Sequence, residues 1–354
     1  MKLDDVLYCS FTAWYPKFSH ITIKSCVIPL PQDFLDYLNE DGVVLPEGST
    51  GVTSEDSNQN DDNLEGEDLD VIWDSDTPGA MCPKFLELDS AVKKYIKSLG
   101  GVVFPKLNWS APRDATWIAF DHTLKCKSPS DIYLLLKSSE FISHDLNQPF
   151  LYCEDWDSKK EVRVAYHLVL RKWLNVHPGY EFRCFVKNNN LIGISQRNHT
   201  AYYDFIGKER DDIIFDIQDF YADHIHLNFP CQNYVFDMYR QEQGDILLID
   251  FNPFGEVTDG LLFDWTELEN NDPLKGTDSE SIKVPAFRYV AKSKGVQPDP
   301  LLTNYGVPRD ILDLASGTDH NKLIDLLQLK RSQQEDGSSS EDESDVQVRQ
   351  TDPR

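Results

Sequence analysis

The chain has 354 residues, 40% apolar and 12% aromatic, with 60 Asp and Glu against 34 Lys and Arg and a formal net charge of −26. So much apolar side chain supports an extensive core, while the negative charge repels phosphate backbones and argues against a nucleic-acid partner. No run of 18 apolar residues occurs, and Met1-Lys2-Leu3-Asp4-Asp5 lacks the apolar stretch of a secretory leader, so no membrane association and a cytoplasmic location are expected.

The cysteines at 9, 26, 82, 126, 153, 184 and 231 are odd in number and contain no C-x-x-C, which predicts reduced thiols and no zinc site. Charge is unevenly placed: residues 51–76 carry ten Asp and Glu, residues 335–345 carry six, and neither stretch has a Lys or Arg. Polar, acidic and poor in apolar residues, an insertion at 48–78 and a tail at 332–354 are expected to be disordered. Such segments suit a basic protein partner. Thr53, Ser338, Ser339 and Ser340 each have an acidic residue three positions on, the pattern of acidophilic kinase substrates, though solvated unmodified hydroxyls read equally well.

Residues 1–30 alternate apolar and polar around the cluster Trp14-Tyr15-Pro16-Lys17-Phe18, with a strand-like run at Ile21–Pro29. A short helix is predicted over 31–40. Lys84–Leu99 sets Phe85, Leu88, Val92, Ile96 and Leu99 on one helical face and stops at Gly100-Gly101. An edge-like strand follows at Val102–Lys106, then a polar loop at Asn108–Ala115. Ser128, with Pro129 behind it and Asp131 in the first turn, starts a helix running to about Ser139. Strands are predicted at Pro149–Cys153, Ala165–Leu174, Tyr180–Lys187 and Leu191–Arg197, the last two joined through Asn188-Asn189-Asn190, which tolerate positive φ. One amphipathic helix is predicted over Gly207–Ile225 and a broken one over Asp310–Arg331. Helices and antiparallel strands in runs, without βαβ alternation, predict an α+β fold.

The most informative stretch is Ile246–Asp259. An apolar strand ends in Asp250-Phe251-Asn252, and because strand side chains alternate, Asp250 and Asn252 share a face while Phe251 points the other way. Upstream, Tyr234–Arg240 reads as a second strand carrying Asp237. A turn centred on Gln243 places Asp237 opposite Ile249, one residue from Asp250. Three hard oxygen ligands would then converge from adjacent strands, a set suited to Mg²⁺ with phosphate and water completing the shell. A hairpin whose Asp and Asn merely cap a strand end is the other reading.

Lys106, Arg171, Arg183 and Arg197 lie on or beside the other predicted strands, with Glu181 two residues before Arg183. Around a nucleotide triphosphate the cations would neutralise phosphate oxygens. The strand at 168–174 would offer main-chain groups to an adenine edge. Surface ion pairs are the alternative for each arginine taken singly.

This order resembles the ATP-grasp superfamily, in which a lysine, a hinge strand, an E-x-R-like strand and a final acidic pair enclose Mg-ATP between two α+β subdomains. Two departures stand out: D-x-N replaces the usual E-x-N, and Asn108–Ala115 replaces a glycine-rich phosphate loop, leaving Arg113 as the residue expected to cover the phosphates. Phe11–Pro16, Phe104–Ala115, Glu181–Lys187 and Asp250–Asp259 together resemble the cell division cycle protein 123 family, assembly chaperones of eukaryotic translation initiation factor two. The resemblance spans about 1–331, with subdomain one near 1–170 and subdomain two near 171–331. It implies ATP and Mg²⁺ as cofactors and a nucleotide site at Lys106, Asn108, Ala111, Arg113, Arg171, Trp173, Glu181, Arg183, Asp237, Asp250 and Asn252, with Lys172 and Arg197 at its edge. Asp237, Asp250 and Asn252 would hold the metal. It also implies a monomer that binds the gamma subunit of the initiation factor and promotes its joining to the alpha and beta subunits. An ATP-grasp ligase and a nucleotide-locked scaffold are the competing functions, which fold alone does not separate.

Overall fold

Two sheets carry the architecture, and the chain crosses between them early. The computed structural model describes residues 1–40, 42, 46, 83–119, 121–157, 162–242, 244–270 and 284–292. The acidic insertion and tail, Thr53 and Ser338–Ser340, and the helix expected over Asp310–Arg331 lie outside the described residues. All described elements belong to one unit, Met1–Asp299.

The chain opens with α1 (Leu3–Tyr8) and α2 (Phe11–Phe18), in a stretch where only an alternation of apolar and polar residues was expected. Phe11, Trp14 and Phe18 recur at three and four residues, which is a helical face, and all three are buried. β1 (Ser25–Pro29) and α3 (Gln32–Asn39) follow. α4 (Leu86–Ser98) buries Leu88, Val92 and Ile96, with Phe85 and Leu99 beside its ends. It stops where Gly100 and Gly101 turn to φ 98° and 86° and Gly101 N donates back to Ile96 O at 2.8 Å.

β2 (Val103–Lys106) tolerates Pro105 because it is an edge strand. α5 (Pro129–Lys137) begins with a reciprocal cap: Ser128 Oγ accepts from Asp131 N and the Asp131 carboxylate accepts from Ser128 N. α6 (Glu140–Asn147) has no counterpart in the sequence expectations, and the strand expected at Pro149–Cys153 is a pair of turns closed by Leu151 N to Gln148 O and Cys153 N to Phe150 O. β3 (His167–Lys172) completes an antiparallel sheet of order β1-β3-β2. Leu168 and Leu170 face a core built with α3, α4 and α5, while Val169 faces the opposite core.

The larger sheet contains β4 (Glu181–Lys187), β5 (Asn190–Gln196), β6 (Tyr234–Glu242), β7 (Asp245–Pro253) and β8 (Ala286–Arg288) in the order β7-β6-β4-β5-β8. Among the described strands only β8 runs parallel to its neighbour. Asn188 and Asn189 turn the β4–β5 hairpin at φ 49° and 56°, as their residue type predicts. Between β5 and β6 the single helix expected over Gly207–Ile225 is divided into α7 (Asp204–Lys208), α8 (Arg210–Phe220) and a wider π turn at Tyr221–Ile225. α9 (Trp265–Glu269) packs Leu268 with Phe185, Val235 and Phe263.

The opposite face of the larger sheet buries Phe182, Cys184, Phe236, Met238 and Phe251 with the aromatic residues of α2. Just after α2, Thr22 forms a parallel bridge to Leu248 of β7, with Leu248 N donating to Ile21 O at 2.8 Å. Three residues later the same segment enters β1, so one short stretch of chain joins both sheets.

Candidate functional site

Asp237 and Asp250 stand directly opposite each other on β6 and β7. The expected register put Asp237 against Ile249; the ladder instead shifts between Asp237 and Met238, leaving Ile249 as the unopposed residue of a bulge. Strand alternation beyond the bulge is as predicted: Phe251 is 2% exposed in the core, while Asp250 and Asn252 are half-buried.

Arg183 grips Asp237 with both arms of its fork, Nε to Oδ1 at 2.7 Å and Nη2 to Oδ2 at 2.8 Å. Its third arm, Nη1, donates to Asp259 O at 2.7 Å. Arg197 Nε lies 3.4 Å from Asp237 Oδ2, and Asn252 Nδ2 reaches the same oxygen at 3.4 Å. Burial pushes the Asp237 carboxyl up, but Arg183, then Arg197 and Arg113, outweigh it and hold the pKa down at about 2. Asp237 is therefore ionised throughout the physiological range.

Lys106, at the end of β2 and 1% exposed, ion-pairs with Asp250 Oδ2. Burial lowers its pKa, and Asp250 opposes that shift. Arg171 is equally buried on β3, with its guanidinium 5.4 Å from the ring centroids of Phe11 and Phe104. It donates from Nη1 to Ile249 O at 2.6 Å and from Nη2 to Thr22 Oγ1 at 3.0 Å. Burial brings its pKa down to about 10. Glu181 is half-buried two residues before Arg183; burial raises its pKa, and Arg197 pulls the other way.

The loop that stands where a glycine-rich phosphate loop was expected is firmly tied. Asn108 is 3% exposed; its Nδ2 donates to Ala165 O at 2.9 Å, its Oδ1 accepts from His167 N at 2.8 Å, and its carbonyl accepts from Phe11 N at 2.7 Å. It fastens the loop. Ser110 donates through N and Oγ to Asp145 at 2.7 and 2.8 Å, and burial pushes that carboxyl up to about 6. Ala111 O accepts from Arg113 N at 2.7 Å, and Asp114 accepts from Ser139 Oγ and Glu140 N at 2.5 and 2.7 Å at the start of α6. Arg113 is exposed, close enough to influence Asp237.

Lys172 is exposed, and Trp173 Nε1 donates to Asn175 at 2.9 Å. Their main-chain N–H groups donate to Lys24 O and Val102 O, so neither is available to an adenine edge. The structure thus brings Lys106, Arg171, Arg183, Arg197, Asp237, Asp250 and Asn252 together, with Glu181 and Arg113 beside them. Thr22, Asp114 and Asp145 carry no local signal that would have singled them out. Among the described residues no three His, Cys, Asp or Glu side chains are placed to hold a metal, so an ion between β6 and β7 would depend on the amide oxygen of Asn252 beside the two carboxylates.

With this geometry in view, several known proteins resemble the chain. The D123 family model matches residues 14–315. A Xenopus tropicalis protein named translation initiation factor eIF2 assembly protein is 50% identical over 340 residues, covering 96% of this chain and 100% of the relative. An Aspergillus terreus protein named cell division cycle protein 123 is 41% identical over 284 residues, 78% of this chain and 65% of the relative. The solved structure of Cdc123 from Schizosaccharomyces pombe superposes with a TM-score of 0.65 at 36% identity, covering 82% of this chain and 99% of that one. The chain belongs to the D123 family and has its α+β, ATP-grasp-like fold.

Proposed function

We propose that this chain is an ATP- and magnesium-binding assembly chaperone that binds the gamma subunit of eukaryotic translation initiation factor two and promotes its joining to the other subunits. Its role in translation initiation links it to cell-cycle progression, and it works as a cytoplasmic monomer. The observation that carries the nucleotide half of this reading is the pair of ion pairs at the β6–β7 strand ends, Lys106 with Asp250 and Arg183 with Asp237, in a cleft whose cations outnumber its carboxylates. In a chain of net charge −26, a local surplus of cations favours an anionic ligand.

The residues fit Mg-ATP. Asp250 and Asn252 present oxygens on one strand face, and Asp237 is kept ionised opposite them. Magnesium, when bound, would neutralise the phosphates and hold them against β7. Lys106 is tied to Asp250; a cation on Asp250 would free the ammonium for a phosphate oxygen, so each charge finds a new partner without leaving the cleft. Arg183 is committed to Asp237 and serves to hold that carboxylate. Arg113, exposed at the rim, is the cation positioned to close over the phosphates.

The client half rests on relatives named as eIF2 assembly proteins, with Xenopus tropicalis matching over its full length. The test is to incubate the protein with labelled ATP and purified gamma subunit, following ADP, transfer products and complex together. An ATP-dependent complex with an unmodified client is expected. Labelled phosphate or a new covalent bond on the client would overturn the chaperone reading in favour of an ATP-grasp ligase.

A further inference from the structure

Each strand of the smaller sheet, or the chain leading into it, sends one group to three successive residues of β7. Lys106 at the end of β2 pairs with the Asp250 carboxylate, Arg171 on β3 donates to Ile249 O, and Thr22, just before β1, donates from Oγ1 to Leu248 O at 2.6 Å. Thr22 Oγ1 also accepts from Arg171 Nη2, so two of the three contacts are linked through one hydroxyl. Ile249 is the bulged residue whose main chain lacks a ladder partner opposite it, and a bulge is where a strand end is free to re-aim its side chains.

We infer that Thr22 and Arg171 are positioning residues that fix the bulge at Ile249 and thereby aim the Asp250 carboxylate at the metal; the inference rests on the Mg-ATP reading above. Both Nη groups of Arg171 are used on β7 and Thr22, and its Nε is buried without a partner among the described residues, so this guanidinium acts through β7 and does not touch phosphate. The division of labour follows from charge. Lys106 holds Asp250 only until a cation and a phosphate replace that pairing, whereas a hydroxyl and a guanidinium bound to main-chain carbonyls have no reason to let go. Thr22 and Arg171 would therefore hold the strand end in both states, keeping the metal ligands in place when the lysine moves.

The test uses the full chain and separates the metal from the nucleotide. Thr22→Val keeps the shape and removes the hydroxyl, Thr22→Ser restores it, and Arg171→Lys keeps the charge but loses the fork. For wild type and each variant, ATP affinity is measured without magnesium and across a magnesium titration, alongside thermal melting. Thr22→Val and Arg171→Lys are expected to raise the magnesium concentration needed for half-maximal ATP binding by about tenfold or more, the usual scale for losing an outer-shell partner, while magnesium-free affinity stays within about twofold. Thr22→Ser is expected to return the requirement to the wild-type value. A folded Thr22→Val or Arg171→Lys protein with an unchanged magnesium requirement overturns the inference alone, as does an equal fall in magnesium-free affinity for Arg171→Lys, which would put that guanidinium on the phosphates. A wild-type chain that binds no Mg-ATP overturns the parent reading and this one together.

Discussion

Asp237→Asn is expected to lower the stability of the fold by about 3–5 kcal/mol, the scale for breaking a buried ion pair on one side only. The reason lies in what remains. Arg183 is 4% exposed and, among the described residues, has no other carboxylate within its fork, and Arg197 sits beside it, so the variant leaves two largely buried guanidinium groups with one neutral amide between them. A second signature distinguishes this from simple loss of packing. The folded-state pKa of Asp237, about 2, lies below the ordinary aspartate value, so its contribution to stability is fully present above that ordinary value and is lost as pH falls through about 2. Wild-type stability should therefore fall between about pH 4 and pH 2 more steeply than that of Asp237→Asn. Urea unfolding at neutral pH and across that acid range measures both effects. A loss below about 1 kcal/mol at neutral pH would mean that the Arg183 fork contributes no more than a surface pair.

Phe251→Ala is expected to cost a similar amount, about 3–5 kcal/mol, by the different route of a cavity. Phe251 is the inward residue between Asp250 and Asn252, and its ring stacks on Phe229 with centroids 4.1 Å apart. Trp14 meets it edge-on at 5.5 Å, Phe18 lies at 5.2 Å and Tyr234 at 5.9 Å. Those rings come from α2, from the chain before β6 and from β6 itself, so their relaxation into the void would disturb several elements at once. The outward neighbours, Asp250 and Asn252, should lose their fixed aim as the strand end loosens. Unfolding by urea tests the stability, and a cost under about 1.5 kcal/mol would indicate that the neighbouring rings collapse into the space with little strain.

What could be read from the sequence was whatever depends on a short period or a residue type. The face of α4, the positive-φ asparagines of the β4–β5 hairpin, the edge position of Pro105 and the shared face of Asp250 and Asn252 are all local consequences of side-chain alternation, helical spacing or backbone sterics. The bulge at Ile249 left no such trace: one added residue in a strand has no side-chain signature, and it changed which residue Asp237 opposes. The N-terminal helices were missed because Phe11, Trp14 and Phe18 fit helical spacing within a stretch that also alternates. α6 was missed because a turn-rich polar context hid its Ser139 cap.

In the site itself, residue types pointed to which side chains gather at the β6–β7 strand ends but not to their partners. That Arg183 is spent on Asp237, that Arg171 serves the main chain of β7, and that Asn108 is a loop fastener are facts of tertiary proximity. Thr22 is a threonine among many until the fold sets it against Leu248 and Arg171.

Titration calorimetry of Mg-ATP into wild type and Asp250→Asn distinguishes a magnesium–nucleotide site at the end of β7 from a purely structural strand end. Asparagine is the better replacement because alanine would strand the buried Lys106 without any partner. Wild type should show saturable, magnesium-dependent heat at one site per chain, and the folded variant should show none over the same concentrations. Equal affinity in the two proteins, or no binding by wild type, would contradict a nucleotide site at this strand end.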